Sequence, residues 1–255
     1  MKKIISYNVN GLRAAIKKDL LNWFKQSKAD IICLQETKAQ PEQLPVDEIE
    51  SAGYHSYWFS AEKKGYSGVS FLLKQKPDNI EYGMGIDIYD KEGRVIRADY
   101  GDISILNVYH PSGSMGAVRQ AFKMQWLEDF NNYIKDLKEI RPNLIITGDF
   151  NICHKPIDIH DPIGNAGNSG FLPEEREWID KFMKSGFIDS FRHFNKEPHN
   201  YTWWSYRTNA RERNLGWRID YIMISENIKD IMQNAAIYSD AVHSDHCPIS
   251  LIADF

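Results

Sequence analysis

The chain has 255 residues, 42% of them hydrophobic, with 31 basic and 35 acidic side chains and a formal net charge of −4. A chain of this length and apolar content can bury a sizeable hydrophobic core. Its slightly negative net charge argues against binding of nucleic acid over its whole surface, but a local basic face remains possible. The three widely spaced cysteines, Cys33, Cys153 and Cys247, favour a reduced cytoplasmic protein over a secreted one. No stretch approaches the ~20 apolar residues of a membrane span, so no membrane association is expected.

Apolar runs typical of strands recur along the chain. In chain order they are KIISYNV, DIICLQE, GVSFLL, VIRADYG, ISILNVYH, NLIITGDFN, RIDYIMIS and CPISLIADF. Between them, an apolar stripe repeating every three or four residues predicts a helix over 118–140. A second helix is predicted from Pro173, a good first-turn residue, to a stop at Gly186.

Strands that alternate with helices indicate an α/β protein. The segment VIRADYGDISILNVYH contains two strands joined only by a tight turn, and such strands must pair antiparallel. The sheets are therefore expected to be mixed. No linker or low-complexity tract divides the chain, which predicts a single domain over 1–255.

Two strands end in matched polar pairs, Asn8 with Asn10 and Asp149 with Asn151. Side chains at positions i and i+2 of an extended strand share a face, so each pair is expected to point in one direction at the strand's carboxyl end. Unpaired polar groups are costly away from water, and such positions therefore favour contact with something polar, charged or metallic.

Other acidic or basic groups interrupt apolar strands or precede them: Glu36, Asp220, and Asp245 with His246 in SDHCP. A single aspartate at a strand end is most often a turn or cap residue, but the repetition favours a shared site. Carboxylates with amides and water suit Mg²⁺. Zinc is disfavoured because each cysteine–histidine pair consists of sequence neighbours, whose side chains point to opposite sides of an extended chain. The sequence also contains no P-loop and no Gly-x-Ser-x-Gly nucleophile elbow. The pattern favours metal-assisted attack of water on a phosphate ester.

The segment 201–221 combines three tryptophans and three tyrosines with four arginines, among them Arg207 and Arg211. Aromatic side chains interleaved with arginines suit phosphate contact and stacking against bases or sugars. A core strand pair with a solvated arginine loop would give the same composition. Beside a metal and phosphate site, the nucleic-acid interpretation is favoured.

These motifs resemble the exonuclease III branch of apurinic/apyrimidinic endonucleases, within the endonuclease–exonuclease–phosphatase superfamily. The resemblance is carried by NGLRA, LQETK, KGYSGV, GDFN, GNSGF, NARERNLGWRIDY and SDHCPI, in family order along essentially the whole chain. It implies a four-layer α/β sandwich, with two mixed β-sheets packed face to face and flanked by helices.

The resemblance also implies roles for individual side chains. Around the metal, Glu36 would be a ligand, Asn8 a support, Asp245 an outer or second ligand, and Asn10 part of the same edge. The catalytic set would comprise Asp149 on the attacking water, Asn151 and Tyr109 as donors to the phosphate, and His246 on a phosphate oxygen, oriented by Asp220. The substrate would meet Arg207, Arg211, Asn165 and Asn168, while Trp203, Trp217 and Ile219 would wall a pocket for a base-less deoxyribose.

The implied activity is Mg²⁺-dependent incision of double-stranded DNA 5′ to abasic sites by a monomer, with Mn²⁺ as a substitute cation. Trimming of blocked 3′ ends and 3′ nucleotides would accompany it. Two alternatives remain: a phosphodiesterase of the same superfamily acting on a phosphoinositide, a phospholipid or RNA, and a DNA-binding protein that has lost catalysis. Ser112, Asn10 and Met115 depart from residues found in some relatives.

Overall fold

The computed structural model describes all 255 residues and contains two six-stranded sheets. The strands are β1 (Lys2–Asn8), β2 (Ile31–Gln35), β3 (His55–Phe59), β4 (Val69–Leu73), β5 (Asn79–Tyr82), β6 (Val95–Tyr100), β7 (Ile103–Tyr109), β8 (Asn143–Asp149), β9 (Phe187–Asp189), β10 (Asp220–Ser225), β11 (Met232–Ile237) and β12 (Ile249–Ala253). The α-helices are α1 (Leu12–Ile16), α2 (Leu20–Ser27), α3 (Val46–Ser51), α4 (Asp87–Asp90), α5 (Ala117–Ile140), α6 (Pro173–Lys184) and α7 (Ser190–Phe194).

Both sheets are mixed, as expected. The first has the order β11-β12-β1-β2-β4-β3, and the second has the order β5-β6-β7-β8-β10-β9. Each sheet contains one parallel pair, β1 with β2 and β7 with β8, surrounded by antiparallel neighbours. The predicted β6–β7 hairpin is confirmed, with Val95 opposite Val108 and Tyr100 opposite Ile103.

The two sheets pack face to face through a buried apolar layer. Ile4, Ile31 and Phe71 of the first sheet contribute to this layer, together with Ile105 and Ile145 of the second. The outer face of the first sheet is covered by α1, α2 and α3, and that of the second by α5 and α6. The expected four-layer sandwich is therefore confirmed. None of the helices has the length and apolar character needed to span a membrane.

The predicted long helices are confirmed within a few residues, since α5 begins at Ala117 and α6 ends at Lys184. Sequence patterns gave no strand at β3, β5, β9 or β11. Strands β3 and β5 are edge strands whose side chains are mostly half-buried or exposed, so they lack the continuous apolar run that marks the inner strands. Strand β9 has only three residues, too few for a periodic pattern.

A buried ion pair joins α5 to α6 beneath two surface loops. The Nζ atom of Lys123 lies 2.5 Å from Oε1 of Glu175, and both side chains are 0% exposed. Lys123 also donates to the carbonyl of Asn151, and Glu175 accepts from the backbone N–H groups of Gly170 and Leu172. The pair therefore ties the segment after β8 to the segment before α6.

We predict that Lys123→Met lowers the free energy of unfolding by about 3–5 kcal/mol, because it leaves the Glu175 carboxylate buried without its cation. Urea denaturation followed by circular dichroism measures the change. The matched control is Lys181→Met, which removes an exposed pair with Glu177 on the surface of α6 and should have little effect. Equal stability of the two variants would contradict the structural role of the buried pair.

Candidate active site

The polar ends of the inner strands meet at one rim of the sandwich. Asn8 ends β1, Glu36 follows β2, and Asp149 ends β8. Because β10 runs antiparallel to β8, its first residue, Asp220, lies directly opposite Asp149, and Tyr109 at the end of parallel β7 is also in register with Asp149. The fold therefore delivers these side chains to one place.

The two members of each polar pair come together through a sharp turn of the backbone and not through an extended strand. Asn10 and Asn151 have positive φ angles of 44° and 53°, so the chain turns sharply where each strand ends. The N–H of Asn10 donates to Oδ1 of Asn8 at 3.0 Å, and that of Asn151 donates to Oδ1 of Asp149 at 2.8 Å. The expectation that extended backbone aligns each pair was therefore wrong, although the members of each pair do lie together. Asparagine tolerates this left-handed conformation better than most residues.

A network of short contacts joins the carboxylates at the rim. The Nδ2 atom of Asn8 donates to Oε1 of Glu36 and to Oδ2 of Asp149, each at 2.8 Å. The Nδ1 atom of His246 lies 2.9 Å from Oδ2 of Asp220, while its Nε2 lies 3.9 Å from Oδ2 of Asp149. The residues expected at one site are thus brought together, and the imidazole lies between two aspartates.

Burial and charge set the protonation of this cluster. Burial would lower the pKa of His246, but Asp220 and then Asp149 favour the charged imidazolium and raise it to about 10. Burial and the charge of Asp220 raise the pKa of Asp149 to about 8. A cation beside Glu36 would favour the ionised form of Asp149, because opposite charges stabilise one another.

The donor set fits a hard divalent cation. Carboxylate oxygens of Glu36 and Asp149 and a ring nitrogen of His246 all lie within 4.8 Å of one another. Because the His246 imidazole is protonated, the two carboxylates are the candidate metal ligands of this group. Carboxylate oxygens with open coordination positions for water are the surroundings that Mg²⁺ prefers. The amide nitrogen of Asn8 faces the two carboxylates, an arrangement that supports them without supplying an oxygen ligand.

Asp245 and Asn10 lie beside this group and contact each other. The Nδ2 atom of Asn10 donates to Oδ1 of Asp245 at 2.9 Å, and the indole N–H of Trp203 donates to Oδ2 at 3.1 Å. Lys38 completes the rim, with its Nζ 2.7 Å from Oε2 of Glu36 and 2.5 Å from Oδ1 of Asn10. The carboxylates thus already have cationic and amide partners within the protein.

A cavity of about 330 Å³ opens onto this cluster. Its aromatic wall is formed by Trp203 and Trp217, whose rings lie nearly perpendicular with centroids 5.9 Å apart, and Ile219 packs beside them. Gly170 lies so close that a Cβ atom there would be 2.9 Å from the ring of Trp217. The complete lining is Glu36, Tyr109, Ser112, Ser114, Asp149, Asn151, Ser169, Gly170, Trp203, Trp217, Ile219, Asp245 and His246.

The remaining sequence-derived candidates lie outside this cavity. Asn165 and Asn168 hydrogen bond to each other in the loop that leads to Gly170, and Asn168 is exposed. Arg207 is exposed, and its guanidinium makes no hydrogen bond within the protein. Arg211 instead stacks on Trp204 and donates to the backbone carbonyls of residues 239, 241 and 244, so its guanidinium already has partners.

Sequence reasoning assigned no role to several residues that form the site. Lys38 was part of the LQETK motif, and its place two residues after Glu36 was the available signal. Ser114, Ser169 and Gly170 line the cavity from loops, where no periodic pattern marks a functional position. Ser169 and Gly170 belong to the GNSGF motif, which was the available signal for them, whereas only the folded chain identifies Ser114.

Comparisons with known proteins agree with this geometry. Residues 5–246 match the model of the Endonuclease/Exonuclease/phosphatase family. The chain belongs to this family. It is 45% identical over 252 residues to an exodeoxyribonuclease of Bacillus subtilis, with 98% of both chains covered. It is 44% identical to the DNA repair nuclease APEX1 of Danio rerio, covering 98% of this chain and 81% of that protein.

Solved structures of family members share the whole architecture. An AP endonuclease from Archaeoglobus fulgidus superposes with a TM-score of 0.91 at 30% identity, covering 100% of both chains. A 3′ phosphatase from Neisseria, bound to a product DNA hairpin, gives a TM-score of 0.91 at 27% identity over 100% of both chains. The likeness to family members therefore extends over the whole chain in both sequence and fold.

We predict that Asp220→Asn lowers the pKa of His246, because it removes the carboxylate that contributes most to the charged imidazolium. In metal-free protein the wild-type ring should keep its proton until the pH approaches 10, and the variant should lose it at clearly lower pH. Side-chain NMR of the imidazole measures both titrations. Asp254→Asn, at an exposed carboxylate near the C-terminus, is the control. Identical titrations in Asp220→Asn and wild type would contradict the assignment.

Proposed function

We propose that this protein is a Mg²⁺-dependent phosphodiesterase that incises double-stranded DNA 5′ to abasic sites, with its catalytic domain spanning 1–255. Removal of 3′-blocking groups and 3′ nucleotides would use the same site. The proposal rests on one observation: Glu36, Asp149 and His246 converge at the floor of a cavity walled by tryptophans. The relatives named exodeoxyribonuclease and DNA repair nuclease support the same substrate class.

Glu36 would hold the cation, with Asn8 fixing the carboxylate and Asp245 and Asn10 at the outer edge. When bound, Mg²⁺ supplies positive charge that stabilises the negative charge developing on the phosphate; Mn²⁺ would substitute. Lys38, whose side chain is 31% exposed, pairs with Glu36 at 2.7 Å and would shift from this carboxylate when a cation binds there. The donor set thus fits a cation that retains several waters.

Side chains of the protein would activate the attacking water and bind the phosphate. Asp149, ionised in the presence of a cation, would orient and accept a proton from the attacking water. His246 would donate from Nε2 to a phosphate oxygen, because Asp220 occupies Nδ1 and keeps the ring charged. Asn151 and Tyr109 lie on the cavity wall next to Asp149 and would donate to the phosphate. Fixed donors around a developing negative charge lower the barrier by electrostatic stabilisation.

The aromatic wall would give the site its selectivity for a missing base. Trp203, Trp217 and Ile219 pack together in a corner that would accept a sugar ring, while an attached base would collide with the indoles. Gly170 allows Trp217 to close this corner, since no side chain would fit between them. An abasic deoxyribose flipped out of the helix is therefore the favoured occupant.

Contacts to the DNA backbone would come from the rim. Arg207 has a free, exposed guanidinium, and exposed Asn168 lies in the loop that leads to Gly170. Asn165 would act by holding this loop, since its amide already bonds to the carbonyls of His160 and Asp161 and to Asn168. Arg211 would act mainly by fixing the loop before Asp245, given its carbonyl partners. The Neisseria relative bound to a DNA hairpin supports this class of partner.

We propose a monomer located in the cytoplasm, in keeping with three free, buried cysteines.

We predict that Asp149→Asn lowers the rate of incision of a duplex carrying a tetrahydrofuran abasic analogue by roughly 10³-fold, because the amide cannot accept a proton from water. Gel electrophoresis of a labelled strand measures the single-turnover rate with Mg²⁺. Asp87→Asn, at a carboxylate whose side chain is 86% exposed on α4, is the matched control and should leave the rate unchanged. Preferential turnover of a phosphoinositide or RNA by the wild type would overturn the substrate assignment.

We predict that EDTA abolishes incision and that Mg²⁺ restores it. Glu36→Gln should weaken binding of Mn²⁺, measured directly by electron paramagnetic resonance without substrate, because the amide lacks the negative charge that favours a divalent ion. Glu42→Gln, an exposed acidic residue six positions along the chain, serves as the control. Full incision in EDTA would contradict the metal requirement.

A further inference from the structure

Arg94 is a buried arginine next to the site that the proposed chemistry does not use. It precedes β6 and is the cross-strand neighbour of Tyr109, since the two residues continue the pairing that joins Val95 to Val108. The N–H of Tyr109 donates to the carbonyl of Arg94 at 2.9 Å. In return, Nη1 of Arg94 donates to the carbonyl of Tyr109 at 2.9 Å.

The guanidinium also stacks against the tyrosine ring. Its central carbon lies 4.7 Å from the ring centroid of Tyr109, within the range of a cation–π contact. The side chain of Arg94 is only 2% exposed, so it cannot reach a substrate phosphate itself. Any influence of Arg94 on the reaction must therefore pass through the residues that it touches.

Two other side chains, Glu92 and Tyr66, hold the guanidinium in this orientation. Its Nε donates to Oε2 of Glu92 at 2.5 Å, and its Nη2 donates to the hydroxyl of Tyr66 at 3.1 Å. Arg119 at the start of α5 reaches the same Glu92 carboxylate and the same hydroxyl. All three side-chain nitrogens of Arg94 thus donate to separate acceptors, and the single ammonium group of a lysine could not reach all three.

We propose that Arg94 is a positioning residue for Tyr109: it fixes the ring against the cavity wall and polarises the phenol, so that the hydroxyl donates more strongly to the phosphate. This inference rests on the proposed function. A cation over the ring face draws electron density from the phenol, and the paired backbone bonds prevent rotation of the strand end. Both effects bear on the side chain of Tyr109, the cavity-lining residue that Arg94 contacts.

The test is a double-mutant cycle on single-turnover incision of abasic duplex DNA. Tyr109→Phe should lower the rate constant by about 100-fold through loss of one donor. Arg94→Met should lower it by about 10-fold, with KM nearly unchanged. In the Tyr109→Phe background, Arg94→Met should change the rate by less than about 2-fold, because the hydroxyl on which it acts is gone.

Arg97→Met, in the same strand, is the matched control; it removes a pairing with Asp99 away from the cavity and should leave the rate unchanged. Arg94→Lys keeps the charge and should fall between wild type and Arg94→Met. It takes the place of Arg94→Met in the cycle if thermal melting shows that Arg94→Met does not fold.

An equal loss from the Arg94 change in both backgrounds would overturn the inference, since a general structural defect does not depend on the Tyr109 hydroxyl. Failure of the wild type to incise abasic DNA would instead overturn the proposed function. The two failures are therefore separated by the wild-type measurement alone.

Discussion

The site depends on keeping two buried aspartates, Asp149 and Asp220, directly opposite each other on neighbouring strands. Two carboxylates out of water repel each other and each loses hydration, which is costly unless positive charge or donors compensate. His246 compensates for this pair by lying between them as a cation. Asn8 contributes two further N–H donors to Asp149 and Glu36. The rim is therefore poised to accept one more positive charge.

The strand order of the second sheet brings the polar side chains to one point. Parallel β7 and β8 end together, while antiparallel β10 begins where they end, so three strands supply side chains to one point without an additional loop. The first sheet contributes because its face packs against the second, which brings the ends of β1 and β2 alongside that of β8. Left-handed residues after the strands, including Glu36 with a φ of 51°, then turn the side chains inward. Such conformations persist where surrounding structure determines them.

The sequence was informative where chemistry and periodicity conflict. Asp149 and Asp220 stand out because each is an acidic residue at the end of an apolar strand, and α5 stands out because its apolar stripe repeats over many turns. The left-handed turns at Asn10 and Asn151 were not foreseeable, since a local backbone angle leaves no periodic trace. The contact of Arg94 with Tyr109 was equally hidden, because cross-strand neighbours are set by register and not by distance along the chain.

The aromatic and arginine-rich segment 201–221 shows why composition alone could not separate cavity-lining side chains from scaffold. Its Trp203 and Trp217 face the cavity, whereas Trp204 lies under Arg211, on the side away from it. The backbone of Thr202 accepts from Cys247, and its hydroxyl accepts from the N–H of Asp220. One short stretch thus braces both the aspartate that orients His246 and the segment that carries His246. The cavity wall and His246 therefore share a backbone support.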